Sequence, residues 1–379
     1  MRCEGPGGRR AKNWQKGGAE VATHDVDAVV LVGGKGTRLR PLTLSAPKPM
    51  LPTAGLPFLT HLLSRIAAAG IEHVVLGTSY RAEVFEAEFG DGSKLGLQID
   101  YVTEEKPLGT GGGIANVAEK LRHDTVMVFN GDVLSGTDLG ELLAFHRDHQ
   151  ADVTLHLVRV SDPRAFGCVP TDSDGRVTAF LEKTQDPPTD QINAGCYVFQ
   201  RPIIDRIPRG REVSVEREVF PALLSDPDVK VCGYVDATYW RDMGTPEDFV
   251  RGSADLVRGI APSPALHGQR GESLVHDGAA VAPGALLIGG TVVGRGAEIG
   301  PGARLDGAVI FDGVKVEAGS VIERSIIGFG ARIGPRALIR DGVIGDGADI
   351  GARCELLRGA RVWPGVSIPD GGIRYSSDV

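Results

Sequence analysis

The hydrophobic positions of this chain follow two rhythms, one on each side of a Pro- and Gly-containing stretch at residues 260–271. Before it, short apolar runs alternate with helical stripes. Residues 28–32 read as a buried strand. Phe58, Leu59, Leu62, Leu63 and Ile66 form the stripe of a helix over 57–69 that Gly70 ends. Residues 73–77 predict a second strand, and Leu97, Ile99 and Tyr101 alternate in a third. A helix is expected over 112–121, a buried strand over 125–129, and further strands over 152–160 and 176–181. Thr245 is placed as the N-cap, and Pro246 as the first residue, of a helix carrying Phe249, Val250, Leu256 and Val257. This alternation predicts an α/β fold, a Rossmann-like, mostly parallel, doubly wound sheet with ligands at the carboxyl ends of its strands.

After residue 273 the period changes to six: Val275, Val281, Leu287, Val293, Ile299 and Leu305. The local text repeats as well, in Val293-Gly-Arg-Gly-Ala-Glu, Ile299-Gly-Pro-Gly-Ala-Arg, Ile327-Gly-Phe-Gly-Ala-Arg and Ile344-Gly-Asp-Gly-Ala-Asp. Six fits neither a helix nor an ordinary strand. It fits the hexapeptide repeat of a left-handed parallel β-helix, with one flat side per repeat and three sides per coil. The register slips by one between 305 and 310, 322 and 327, and 339 and 344, once per coil at one edge of the prism. The expected organisation is a tail at 1–24, an α/β unit at 25–260, a linker at 261–272 and the repeat at 273–379.

Composition narrows the functional classes. The 379 residues are 42% hydrophobic and 24% charged, ordinary for a globular protein, but the formal charge of −8 argues against general affinity for nucleic acid or anionic membrane. An acidic protein that binds phosphates must gather its cations locally or recruit a divalent metal. Cys3, Cys168, Cys196, Cys232 and Cys354 are odd in number and never in a C-x-x-C pair, which excludes a disulfide framework or zinc site and suits a reducing cytoplasm. Residues 1–24 are polar and Gly-rich without an apolar h-region, so a disordered tail is expected rather than a signal peptide. No apolar run reaches the ~18 residues of a transmembrane helix.

The first apolar run opens into Gly33-Gly34-Lys35-Gly36-Thr37-Arg38-Leu39-Arg40-Pro41-Leu42 and on to Pro47-Lys48-Pro49-Met50. Glycines let a backbone turn sharply and bring its N–H groups close to an anion. Lys35, Arg38, Arg40 and Lys48 add positive charge, and no Asp or Glu stands between Asp27 and Glu72. A solvated surface would mix signs; this is a phosphate pocket. It is not a P-loop, because Thr37-Arg38 follows Gly36, and it is not a dinucleotide fingerprint, because Leu39 stands where the third Gly belongs. Asn130-Gly131-Asp132 closes another strand at the same sheet edge, and Asp242 in Trp240-Arg241-Asp242-Met243-Gly244-Thr245-Pro246 sits just before a helix.

Over residues 27–379 this string resembles the sugar-phosphate nucleotidyltransferases, which make a nucleotide sugar and pyrophosphate from a nucleoside triphosphate and a sugar 1-phosphate; only Val32, usually Ala, departs from the signature. The resemblance implies a nucleotide site at Leu31, Gly33, Gly34, Gly36, Thr37, Arg38, Lys48, Glu104 and Gly109. It implies Mg²⁺ on Asp132 and Asp242, with catalysis by Arg38, Lys48, Asp132 and Lys183. Gly167, Glu182, Lys183 and Asn193 would take the sugar phosphate. Thr184 replaces the Pro of the family's F-x-E-K-P, which loosens that turn but leaves Glu182 and Lys183 intact. The family reads its base five residues before the glycines 109–113, at Glu104. A carboxylate only accepts, and guanine offers two adjacent donors, so Glu104 favours GTP.

Within the family the arrangement looks most like the members that convert GTP and mannose 1-phosphate into GDP-mannose, with a homo-oligomer expected through the exposed strand edges of the repeat. Rival readings are the same chemistry on a manno-heptose or glucose 1-phosphate or another nucleotide, a non-catalytic regulatory subunit, and a hexapeptide acyltransferase. The last needs a catalytic histidine on a loop, and the repeat holds only His276, with no insertion after it. His146-Arg147-Asp148 is similar to a kinase catalytic loop, but no D-F-G follows; it reads as the solvated face of a helix with Leu139, Leu142 and Leu143.

Overall fold

The computed structural model describes residues 23–79, 81–268 and 270–374. The expected tail therefore lies outside the described residues except for Thr23 and His24, and Thr23 is buried against Gly70. A nine-stranded sheet forms the first half. Its centre is the apolar strand Val26–Leu31, parallel to both His73–Thr78 and Thr125–Asn130, with Gln98–Thr103 parallel beyond His73–Thr78. Helices Phe58–Ala68 and Leu139–Asp148 cover one face, and Gly109–Asn116 the other. The sheet is mostly parallel, as expected, and is made mixed by the long strand Gln191–Gln200, which runs antiparallel to Thr125–Asn130 and to Val153–Arg159, and by Leu181–Glu182, antiparallel to Gly167–Cys168. The ten residues of Gln191–Gln200 reach three neighbours, Gly167–Cys168 included, with a register shift against Val153–Arg159 between Asn193 and Tyr197.

Three expectations need correction. The strand over 176–181 is not formed; Val177 and Arg176 make single bridges to Thr171 and Cys232, and only Leu181–Glu182 pairs, against Gly167–Cys168. The helix expected from Gly112 begins at Gly109. Its glycines lie against the backbone of residues 211–213: the amides of Gly111 and Gly112 both donate to the Val213 carbonyl, and a Cβ on Gly109 would come within 2.6 Å of that oxygen. Close approach demands Gly111 and Gly112, and Gly109 also takes a left-handed φ of 69°. His146 is buried rather than solvated, its ring between Thr154 Oγ1 and Gln200 Nε2 at 2.8 Å each, and burial pushes its pKa down to about 4. Positions 139, 142, 143 and 146 are one i, i+3, i+4, i+7 face.

The second half is a three-sided stack of parallel strands in sheets of six, six and five, the arrangement of a left-handed β-helix. Val293, Ile299, Leu305, Ile310, Val316 and Ile322 point inward to its core. Middle coils take 17 residues, as in Val292–Val309–Ile326–Val343, whereas Leu274–Val292 and Val343–Arg361 close coils of 18. One corner explains the difference. The middle coils turn there on one left-handed residue, Gly307, Arg324 or Asp341, and the outer coils on two, Gly289-Gly290 or Arg358-Gly359.

One side of the prism is apolar outward as well as inward. Val292, Val309, Ile326 and Val343, each preceding an inward residue, pack into a cluster with Leu39, Leu42, Met243, Phe249, Leu256 and Val257 of the first half. The helix Pro246–Arg258, capped by Thr245 as expected, is the intervening element. Burial of each of its large apolar side chains stabilises this seam by roughly 1.5–3 kcal/mol. His276 belongs to the same junction: its Nε2 lies 3.1 Å from the Ala54 carbonyl, and its ring fills the space a Cβ on Gly55 would need. It is packed as a joint rather than set on a loop.

At the opposite, amino-terminal edge of the parallel strands, Asp27 is fully buried. Burial alone would raise its pKa, but His73 Nδ1 at 2.7 Å, His123 Nδ1 at 3.0 Å and the amides of Arg122 and His123 hold it down at about 2. A carboxyl lowered on folding contributes stability that is present above pH ~4 and lost as pH falls toward ~2. Asp27→Asn should therefore lower stability at pH 7 by roughly 2–3 kcal/mol, and in urea titrations its deficit against the parent should shrink between pH 4 and 2. A constant deficit across that range would contradict the assignment.

Candidate active site

The loop after Val26–Leu31 is shaped by close contacts. Val32 donates its N–H to the Gly77 carbonyl, and Ser79 Oγ donates to the Gly33 carbonyl at 2.7 Å. Gly36 is left-handed, with φ 58°, and a Cβ there would press on Lys48 and Thr43 at 3.0 Å. Thr43 Oγ1 then fixes the Gly36 carbonyl at 2.9 Å. These restraints wrap the loop around a cavity of about 480 Å³, lined by Leu31, Gly33, Gly34, Gly36, Thr37, Arg38, Lys48, Glu104, Gly109 and Asp132, all expected from the sequence. Lys35 and Arg40 are not among the lining residues.

Lys48 is the cation inside. Its side chain is 8% exposed, and its Nζ lies 2.8 Å from Asp132 Oδ2 and 3.7 Å from Asp242 Oδ1. A two-stranded ribbon brings these carboxylates together. Val133–Ser135 pairs antiparallel with Trp240–Asp242, and the Met243 amide donates to the Asp132 carbonyl at 3.1 Å. Arg38 Nη2 stands 3.9 Å from Asp242 Oδ2. Burial and the neighbouring Asp132 charge raise the Asp242 pKa, against the pull of Lys48 and Arg38.

Asp242 Oδ1 is buried and has no hydrogen-bond partner. An anionic oxygen of that kind, beside a second carboxylate, suits a hard divalent cation. No group of three or more His, Cys, Asp or Glu side chains converges on a metal position among the described residues. Two carboxylates alone fit a metal that arrives with phosphates and water in its remaining positions.

Glu104 ends the strand Gln98–Thr103 at the cavity wall. Burial raises its pKa, while the Leu108 amide, 3.3 Å from Oε2, acts against this. Its other oxygen lies 2.9 Å from where a Cβ on Gly113 would stand. The carboxylate thus lies against the glycine turn at the cavity wall.

Gly167, Glu182, Lys183 and Asn193 do not line this cavity. They form a neighbouring group. Glu182 pairs with Gly167, Lys183 has a left-handed φ of 50°, and its Nζ is 3.9 Å from Glu182 Oε1. Asn193 accepts from the Gly195 amide and donates to Tyr197 Oη. Asn130 joins the two groups: it lines the cavity, and its side-chain amide packs on Gly195 so closely that a Cβ there would meet it at 2.9 Å.

Asn130 and Gly244 stand inside the motifs quoted from the sequence but carry no expected role there. The second is legible afterwards, because a Cβ on Gly244 would come within 2.4 Å of Arg38 Nη2, so only glycine leaves the guanidinium its place. Thr43 and Ser79 were passed over; lone hydroxyls that pin carbonyls carry no pattern in sequence.

Comparison with known proteins assigns the chain to a family. Residues 27–259 match the nucleotidyl transferase family model, and residues 269–371 match the GMPPB C-terminal domain model. A Mycobacterium tuberculosis protein named mannose-1-phosphate guanylyltransferase is 87% identical over 359 residues, covering 95% of this chain and all of its own length. The mannose-1-phosphate guanylyltransferase catalytic subunit beta of Drosophila pseudoobscura pseudoobscura is 36% identical over 73% of this chain and 71% of its own. Among solved structures, HddC from Yersinia pseudotuberculosis complexed with GMP-PN superposes with a TM-score of 0.53 at 29% identity, covering 61% of this chain and 99% of that one. The chain belongs to the nucleotidyl transferase family, among the mannose-1-phosphate guanylyltransferases.

Proposed function

We propose that this protein transfers GMP from GTP to α-D-mannose 1-phosphate, giving GDP-mannose and pyrophosphate. The observation that carries the reading is a cavity where a glycine-turned loop, Arg38, Lys48 and Asp132 meet, with Asp242 behind Lys48 and one of its oxygens buried without a hydrogen bond. A phosphate oxygen of the sugar 1-phosphate attacks the α-phosphorus of GTP in line; the bond from that phosphorus to the β-bridging oxygen breaks, and pyrophosphate leaves with its electron pair. No covalent nucleophile on the protein is required, because positioning and charge neutralisation do the catalytic work.

The loop amides and Arg38 hold the β- and γ-phosphates and the charge that develops on pyrophosphate. Lys48, already fixed by two carboxylates, adds a positive charge that needs no reorganisation. Glu104 accepts the paired donors of guanine. Glu182 and Asn193 take sugar hydroxyls, Gly167 lets the sugar approach, and Lys183 holds the attacking phosphate. Asp132 and Asp242 would hold Mg²⁺, whose charge offsets that of the phosphates. The fold also supports assembly of copies through the β-helix, where Val275, Val281 and Leu286 of its first coil are exposed beside unpaired strand edges.

Pyrophosphate release should be confined to GTP with mannose 1-phosphate when five nucleoside triphosphates are each tested with mannose 1-phosphate and glucose 1-phosphate. Glu104→Gln should cut the preference for GTP by roughly 5- to 100-fold, the worth of a mispaired buried acceptor. Turnover on another pair would overturn the substrate assignment, and silence on every pair would favour a regulatory role. Asp242→Asn should lower kcat at least about 100-fold with an unchanged circular dichroism spectrum; parental activity with unaltered metal dependence would remove Asp242 from the metal site. Light scattering should report a mass above that of one chain, and a monomer at micromolar concentration would exclude the assembly.

A further inference from the structure

The outward rungs on the docking side of the β-helix run Leu274, Val292, Val309, Ile326, Val343 and then Arg361, each in register with the next. The ladder is apolar until its last rung. There Arg361 Nη1 donates to the Arg40 carbonyl at 2.6 Å, two residues beyond Arg38. A second polar link lies beside it: Ser45 Oγ donates to Asp346 Oδ2, and the other oxygen of Asp346 accepts from the Phe329 amide at 2.9 Å. Leu39, just before the first link, and Leu42, between the two, are buried in the apolar cluster that also holds Val343. Within the first half, residues 37–45 are held by short i to i−3 turns, from Leu39 to Gly36, Arg40 to Thr37, Leu44 to Pro41 and Ser45 to Leu42, by Thr43 Oγ1 on the Gly36 carbonyl, and by Arg81 Nη1, which donates to the Ser45 carbonyl. Such isolated turns are weak when nothing backs them.

We infer that Arg361 and Asp346 are positioning residues for the triphosphate: the β-helix holds the backbone of residues 39–45 so that the Arg38 guanidinium is presented over Gly244 and beside Asp242. Neither residue touches the cavity. Their effect runs through the loop, and it makes the repeat part of the catalytic apparatus rather than a separate module. The kinetic side of this inference rests on the GTP reading above; the structural side does not.

Both sides can be read on the full-length chain. Hydrogen exchange of the ligand-free protein should show the amides of residues 39–45 exchanging at least about 5-fold faster in Arg361→Ala than in the parent, with the helix Pro246–Arg258 unchanged. Asp346→Ala should act on the same amides. In pyrophosphate release, Arg361→Ala should raise KM for GTP by roughly 3- to 10-fold and leave KM for mannose 1-phosphate within about 2-fold. Arg361→Lys, which keeps a donor, should restore most of the difference. Arg332→Ala, which removes a β-helix arginine paired, among the described residues, with Glu317 and Asp349, is the control and should change neither reading. Unchanged exchange in both loop-contact variants would overturn the inference, as would an Arg332→Ala variant that behaves like Arg361→Ala. A parent protein that does not turn over GTP would fail the functional reading alone, and the exchange data would still decide whether the β-helix holds the loop.

Discussion

The Lys48 ammonium is the interaction on which the site depends. Two carboxylates from different parts of the chain, Asp132 and Asp242, are brought to the end of one ribbon, where burial and the charge of Asp132 push Asp242 toward protonation. A buried cation between them keeps that juxtaposition tolerable before any ligand arrives. Lys48 stays in place because Pro47 and Pro49 restrict the turn around it and Gly36 packs on its stem. Arg38 is different: it is exposed, and its position comes from Gly244 beneath it and from the backbone on either side. One cation is fixed by burial, the other by what surrounds its loop.

The parts of the fold that follow from short-range rules were legible. The apolar strand, the Thr245 cap with Pro246, and the six-residue period all appear where the pattern puts them, because each is set by neighbours close in sequence. Pocket-lining residues from Leu31 to Lys48 were legible because the loop is one continuous string. What escaped notice depends on distant partners. The Gly109–Asn116 helix starts early because the backbone at Val213 lies against it, roughly a hundred residues away in sequence. His146 looks solvated beside Arg147 and Asp148 until Thr154 and Gln200 close over it. The strand expected over 176–181 fails because its neighbours offer single bridges rather than a continuous edge.

The apolar doublets of the repeat were in plain view and their meaning was missed. Val292-Val293, Val309-Ile310, Ile326-Ile327 and Val343-Ile344 each put one residue inside the prism and one outside. Period six finds the inward member and says nothing of its neighbour. An outward apolar residue on one side only, coil after coil, has to be covered by something, and here the cover is the helix that begins immediately after Asp242, Met243 and Gly244.

That seam changes what the linker means. Cutting the chain at residues 261–272 would strand Phe249, Leu256 and Val257 on one piece and the Val292–Val343 ladder on the other, each facing water. The boundary so visible in the text of the sequence is not a line of mechanical weakness. The repeat is better regarded as the last wall of the first half, built from a different grammar: two architectures share one interior, and neither fragment would inherit a finished surface.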